Sequence, residues 1–174
     1  LLKNQIKKEE WSQKWWKFLN TFDRALFCWN SICENPNLSW KIIQDNPDLP
    51  WKWNVLSGNP CITLDIIKAH PEIKWNGFYL SRNPNINLDY VKENPQIDWN
   101  WANLSQNTGI SIKEIDDNPN LPWSYENLCF HPNLTIDFIE KHLEENWFWF
   151  VLSYHKAITW EFIQANPDFR WEWN

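Results

Sequence analysis

Tryptophan recurs every 24 residues along most of this chain of 174 residues. When blocks of 24 are counted from Asn35, position 17 of every block is a tryptophan, with no insertion or deletion between blocks. These tryptophans are Trp51, Trp75, Trp99, Trp123, Trp147 and Trp171. Such a period is typical of arrays in which each supersecondary unit buries its apolar side against the next. We therefore predict six tandem repeats over residues 35–174, the last of them incomplete.

Proline divides each repeat in two. All 11 prolines fall on positions 2, 13 and 16, and most of them follow asparagine. Proline cannot continue a helix and moves the preceding residue out of the helical region. Two breaks per repeat therefore predict two short helices per repeat and an all-α chain.

Helix starts can be predicted within each repeat. Position 5 always holds a good N-cap residue, and the first helix should begin after it. These caps are Ser39, Thr63, Asn87, Ser111, Thr135 and Thr159. The second helix should run from position 16 or 17 to position 23, and its shortness predicts some 3-10 character. The position 17 tryptophans should be buried, so Trp99→Ala should cost about 3–5 kcal/mol.

Residues 1–34 match the repeat only at their end. We predict an N-terminal helical cap with one amphipathic helix over residues 7–20 and a second from an N-cap at Thr21 to about Cys33. The alternative is a segment that docks on an adaptor protein. Because the chain opens on Leu1 and shows no matching C-terminal cap, we expect it to be a piece of a longer array.

The repeat motifs NPNLSWKIIQDNPDLPWKWNVLSG and ITWEFIQANPDFRWEWN resemble leucine-rich variant (LRV) repeats. They are similar still more closely to the Asn-, Ile- and Trp-rich repeat proteins of large (giant) DNA viruses. The resemblance covers about residues 27–174. It implies a right-handed α-solenoid with an α-helix and a 3-10 helix per repeat, a place in the host cytoplasm or the virion, and no defined activity. One leucine-rich variant protein type carries an iron–sulfur cluster, but the spacing of Cys28 and Cys33 does not reproduce its motif.

Residues that could carry chemistry also follow the repeat. His70 and His142 stand at position 12, and His131 and His155 at position 1, where the other repeats have asparagine. We interpret these histidines as caps of carbonyl groups at helix ends, and the four cysteines as reduced substitutes for small residues. We therefore predict no enzyme, no metal site and no cofactor.

Recognition is expected at the variable positions 18 and 20. The candidate protein-binding residues are Lys52, Asn54, Asn76, Phe78, Asn100, Ser124, Glu126, Phe148 and Phe150. The aromatic run at residues 147–150 is either an exposed protein contact or a locally thicker core. We predict a non-enzymatic scaffold that binds another protein, viral or host, or builds an assembly.

Charge bears on the remaining partner classes. The net charge of −6 disfavours nucleic acid and anionic membranes as partners. The sequence contains no window of 18 uncharged apolar residues, so we predict no membrane span. The alternative function is a modular single-stranded nucleic-acid-binding solenoid, which needs a basic stripe that the scattered lysines do not form.

Overall fold

A computed structural model describes residues 2–172, with side chains from residue 6 onward. All regular structure in this range is helical, with thirteen α-helices, one 3-10 helix and no β-strand. No helix in it is both long and apolar enough to cross a bilayer. The chain forms two compact units, Leu1–Asn85 (unit 1) and Ile86–Asn174 (unit 2).

The N-terminal region begins with α1 (Leu2–Leu19), followed by a 3-10 helix over Arg24–Leu26 and by α2 (Trp29–Glu34). The predicted helix from Thr21 is wrong, because the Thr21 hydroxyl donates to the Phe18 carbonyl at 2.7 Å and so belongs to the end of α1. The Asp23 carboxylate instead caps the 3-10 helix by accepting from the Ala25 amide. α1 packs on the rest of unit 1 through Trp16, whose ring centroid lies 5.9 Å from that of Trp51.

The first helices of the blocks start at intervals of 24 residues. They are α3 (Trp40–Asp45), α5 (Leu64–Ala69), α7 (Leu88–Glu93), α9 (Ile112–Asp116), α11 (Ile136–Lys141) and α13 (Trp160–Ala165). All six predicted N-caps are confirmed, since each side chain accepts from the backbone amide three residues later. Ser111 also forms a reciprocal capping box with Glu114.

The second helices are single α-helical turns that begin at position 19, two or three residues later than predicted. They are α4 (Trp53–Leu56), α6 (Gly77–Leu80), α8 (Trp101–Ser105), α10 (Tyr125–Leu128) and α12 (Trp149–Leu152). The late start follows from position 18, whose non-helical backbone makes it the N-cap. Second helices pack on one another: α2 on α4 and α4 on α6 in unit 1, and α8 on α10 in unit 2.

All six position 17 tryptophans make the same type of hydrogen bond. Each indole Nε1–H donates to the backbone carbonyl five residues earlier, at 2.7–3.1 Å, and so satisfies the end of a first helix. Four of these rings are buried, with 6–8 % of their surface exposed: Trp51, Trp123, Trp147 and Trp171. The burial predicted for Trp75 and Trp99 is wrong, because their rings are only half-buried. The indole bond fixes one edge of the ring but does not by itself cover the rest.

Position 1 links neighbouring blocks in unit 1. Asn83 Nδ2 donates to the carbonyls of Ser57 (2.9 Å), Asn59 (3.1 Å) and Ile62 (2.9 Å), while Asn83 Oδ1 accepts from the Asn85 amide. Two amide hydrogens serve three acceptors, so one hydrogen is shared. Asn59 makes the same type of link to the carbonyls of Cys33 and Asn35, at 2.7 and 3.0 Å.

Histidine makes the equivalent link in the last two blocks of unit 2, which follow Asn107 at the same position. Nδ1 of His131 accepts from the Asn133 amide at 3.2 Å, and Nε2 lies 3.0 Å from the Ile110 carbonyl. His155 repeats this arrangement with the Ala157 amide (3.1 Å) and the His131 carbonyl (3.2 Å). Each ring must therefore be neutral, with its hydrogen on Nε2. Bonding of these two histidines to carbonyls is confirmed, but the carbonyls lie in turns of the preceding block and not at helix ends as predicted.

Position 23 supplies a second type of link. Ser57 Oγ donates to the Trp53 carbonyl at 2.8 Å and accepts from the Asn76 amide at 3.0 Å. Ser105 and Ser153 repeat both bonds in unit 2. Cys33 occupies the same position, and its sulfur accepts from the Lys52 amide at 3.4 Å. The interpretation of Cys33 as a small-residue substitute is therefore confirmed.

Candidate interaction surface

The nine predicted binding residues fall into two groups. Six side chains are exposed: Lys52, Asn54, Phe78, Glu126, Phe148 and Phe150. The other three, Asn76, Asn100 and Ser124, are half-buried and cap α6, α8 and α10 through bonds to the amide three residues later. These three side chains already serve as N-caps. Their residue types could have indicated this role, since Asn and Ser are good N-caps.

One group of exposed aromatic side chains lies around α12, and another, with Trp11, Phe18 and Phe22, lies on and just after α1. Phe148, Phe150 and Tyr154 are 46 %, 58 % and 66 % exposed, and we call these three residues the aromatic surface. The rings of Phe150 and Tyr154 meet edge to face, with centroids 5.9 Å apart. Beside them lies an open groove of about 470 Å³ lined by residues 147–151 and Arg170.

The run at residues 147–150 proves to be partly core and partly surface. Trp147 is buried, and Trp149 is half-buried and stacks on Phe169 with ring centroids 3.8 Å apart. The two phenylalanines between and after them point to solvent. The run is therefore core at its tryptophans and exposed at its phenylalanines, and the protein contact stays a prediction.

Tyr154 was not among the predicted residues, although its position carries a signal. Position 24 holds Gly, Arg and Gln in the first three blocks, and then Phe130 and Tyr154 in the fourth and fifth. Phe130 is also exposed, at 54 %. The change from polar or small residues to aromatic residues at one position is the pattern that would have identified them.

A polar cluster in unit 2 was missed as well. Asp116 of α9 accepts from Lys141 Nζ at 2.7 Å and lies 3.0 Å from His142 Nε2, while the Tyr125 hydroxyl lies 3.3 Å from His142 Nδ1. Hydrogen bonds from Lys141 and then His142 lower the pKa of the Asp116 carboxyl. No period could reveal this cluster, because the pairing joins unlike positions of different blocks.

This cluster is suited to holding α9 and α11 together rather than to catalysis. A carboxylate that orients an imidazole is one part of nucleophilic catalysis, but the nucleophile must also be activated. Burial raises the pKa of the Tyr125 hydroxyl, with smaller contributions from Glu145 and Asp116, so the phenolate is disfavoured. The remaining groups form an ion pair at a partly exposed site.

Burial disfavours the thiolate form of three of the four cysteines. Burial raises the pKa of Cys61 to about 12 and that of Cys129 to about 11, and it also raises the pKa of Cys33. Hydrogen bonding from the Ser31 side chain lowers the pKa of the exposed Cys28. Among residues 6–172, no group of three His, Cys, Asp or Glu side chains is arranged to hold a metal ion.

Comparison with known proteins gives no match. The chain matches no protein-family model, no curated protein and no solved structure. The similarity to leucine-rich variant repeats therefore rests on the repeat motifs themselves.

Proposed function

We propose that the chain is an α-solenoid of 24-residue repeats that serves as a non-enzymatic scaffold and binds another protein through the aromatic surface. The solenoid is supported by the recurrence of the same links between neighbouring blocks. Position 1 reaches carbonyls 21 to 26 residues back, and the position 23 hydroxyl accepts from an amide 19 residues on. Stacked units that contact only their neighbours define a solenoid.

The observation that carries the binding function is the exposure of Phe148, Phe150 and Tyr154 at the N-cap of α12, within α12 and in the turn after it. Aromatic residues are enriched in interface cores, and a few of them provide most of the binding energy in many complexes. The surface has a rigid base, because Leu152 is fully buried and Ser153 is hydrogen-bonded in both directions. A preorganised surface loses little entropy on binding.

The absence of activity is part of the proposal and is supported by the chemistry of the titratable groups. The raised pKa values of the buried thiols and of Tyr125 disfavour the nucleophilic forms. If the resemblance to giant-virus repeat proteins extends to origin, the partner is a viral or host protein in the host cytoplasm or the virion.

The binding proposal can be tested with matched phenylalanine variants. Partner capture from an extract of the source cells is compared for the unaltered chain, for Phe148→Ser with Phe150→Ser, and for Phe78→Ser. Phe78 occupies position 20 like Phe150 and is 48 % exposed, but it belongs to unit 1. We expect a saturable partner that is lost only with the double variant. Equal capture by all three chains, or equal loss with Phe78→Ser, contradicts the proposal.

The repeat architecture can be tested separately by removing one period. Deletion of residues 112–135 joins Ser111 to Ile136, so that one N-cap residue replaces another. A solenoid tolerates this change, and the shortened chain should keep its helical circular dichroism per residue and a cooperative but earlier urea transition. Loss of helicity contradicts the stacked-repeat architecture without bearing on the aromatic surface.

A further inference from the structure

We infer that unit 2 contains a second site, at which Trp99, Trp101 and Asp98 bind the guanidinium group of an arginine in a basic peptide. An open groove of about 780 Å³ lies beside α7 and α8 and is lined only by unit 2 residues. The groove lies outside the aromatic surface and shares no lining residue with it. The inference therefore stands or falls independently of the binding function proposed for Phe148 and Phe150.

The two indoles are the first part of the argument. Trp99 is half-buried, whereas Trp123 at the same repeat position is only 8 % exposed. The Trp99 ring is fixed by its bond to the Asn94 carbonyl (2.9 Å) and by an edge contact with Tyr90. Trp101 is held in the same way by an edge contact with Trp123, with centroids 5.2 Å apart. Two immobilised indoles with accessible area can hold a planar cation by cation–π contact.

Charge is the second part. Asp98 is exposed and is the only acidic residue among those lining the groove. The one basic residue there, Lys92, keeps its charge, but its Nζ is held at Asn118 Oδ1, 2.6 Å away. The net charge of −6 further favours a basic partner. A guanidinium fits better than an ammonium, because it both stacks on indole and donates two parallel bonds to a carboxylate.

The sequence singles out this groove among its equivalents. Position 16 holds aspartate only in this block, and elsewhere it holds Pro50, Lys74, Pro122, Asn146 or Arg170. The blocks with Lys74 and Arg170 place a positive charge before their position 17 tryptophan, and the others place no charge there. A carboxylate beside two partly accessible indoles is thus a local feature and not a consequence of the repeat.

The probe is a capped Gly-Gly-Arg-Gly-Gly peptide, with citrulline in place of arginine as a neutral control of nearly the same shape. Binding to the unaltered chain at low salt is followed by the indole NMR signals of Trp99 and Trp101. We expect the arginine peptide to shift both signals in a saturable way and the citrulline peptide to bind at least tenfold more weakly. Equal binding of the two peptides overturns the inference and requires no variant to fold.

Matched variants then locate the carboxylate. Asp98→Asn should weaken the arginine peptide about tenfold, whereas Asp168→Asn, an exposed aspartate outside the groove, should change its affinity less than twofold. Equal weakening by both variants would mean attraction to net charge alone and would overturn the site. The Phe148→Ser and Phe150→Ser variant should bind the peptide normally, so failure of either proposal is seen separately.

Discussion

The two units differ at position 1, where unit 1 holds only asparagine and unit 2 holds Asn107 followed by His131 and His155. In unit 1 the Asn83 amide donates to carbonyls of the preceding block and accepts from the amide two residues later. In unit 2 the His131 ring does both through its two nitrogens. An amide and a neutral imidazole each present one donor and one acceptor in this geometry. Only the imidazole, however, loses its acceptor when a proton binds.

The comparison teaches that a position can be conserved in hydrogen-bonding pattern while its response to pH changes. Burial, together with the nearby His155 ring, lowers the pKa of His131, although hydrogen bonds to the Ile110 and Asn107 backbone partly oppose this. Unit 1 has no titratable group at the corresponding positions 59 and 83. The stabilities of the two units should therefore respond differently to acid, while substitutions at features that both units share should have similar effects.

The largest expected effect concerns a shared feature, the buried tryptophan anchor. Trp51→Ala in unit 1 and Trp123→Ala in unit 2 should each reduce the free energy of unfolding by about 3–5 kcal/mol. Each variant loses a ring that is 7–8 % exposed and the indole bond to a helix-end carbonyl. Trp99→Ala should cost about 2 kcal/mol, less than the sequence predicted, because its ring is half-buried. Urea unfolding followed by circular dichroism measures all three, and a cost for Trp99→Ala equal to that for Trp123→Ala contradicts this account.

The next effect tests the link in unit 1. Asn83→Ala leaves three carbonyl acceptors without their donor in a buried site and should cost about 2–4 kcal/mol. Asn54→Ala, at an exposed asparagine, is the matched control and should change stability by less than about 0.5 kcal/mol. If both substitutions have the same small effect, the amide link does not stabilise unit 1 as we describe.

A smaller effect separates the two units by pH. A group whose pKa is lowered by folding stabilises the protein above its ordinary pKa, here 6.5, and the contribution is lost as the pH falls below that value. His131→Asn keeps the hydrogen-bonding pattern, so its urea midpoint should fall less than that of the unaltered chain between pH 7.5 and pH 5. Asn83→His should transfer the acid sensitivity to unit 1. Identical pH profiles for the three chains would remove the distinction between the units.

The smallest effect concerns the ion pair that joins α9 to α11 in unit 2. Asp116→Asn should cost less than about 1 kcal/mol, because partly exposed pairs are screened by water and salt. The lowered pKa of Asp116 means that its contribution is present above the ordinary value of 3.8 and is lost as the pH falls below it. About 0.5 M salt should abolish the difference from the unaltered chain, and a difference that persists in salt would indicate a contribution that is not ionic.

The sequence predicted those features that depend on local chemistry or on the period. The N-caps at position 5, the all-helical character and the bonding of His131 to a carbonyl all follow from residue type and register. The start of the second helix was misplaced, because Trp51 stands beside a proline and resembles a helix start, while the actual cap is the next residue. The incomplete burial of Trp99 and the pairing of Asp116 with His142 depend on contacts between blocks. Periodicity identifies which blocks are neighbours, but not which unlike positions meet.

The links between blocks have a consequence for how the protein opens. In the part of the chain that the structure describes, backbone–backbone hydrogen bonds outside the helices join residues no more than four apart. Neighbouring blocks are thus joined by side-chain bonds and apolar contacts, without the continuous backbone ladder of a β-sheet. A helix pair can therefore detach by breaking a few side-chain bonds, and its amide protons should exchange with solvent without unfolding of the whole unit.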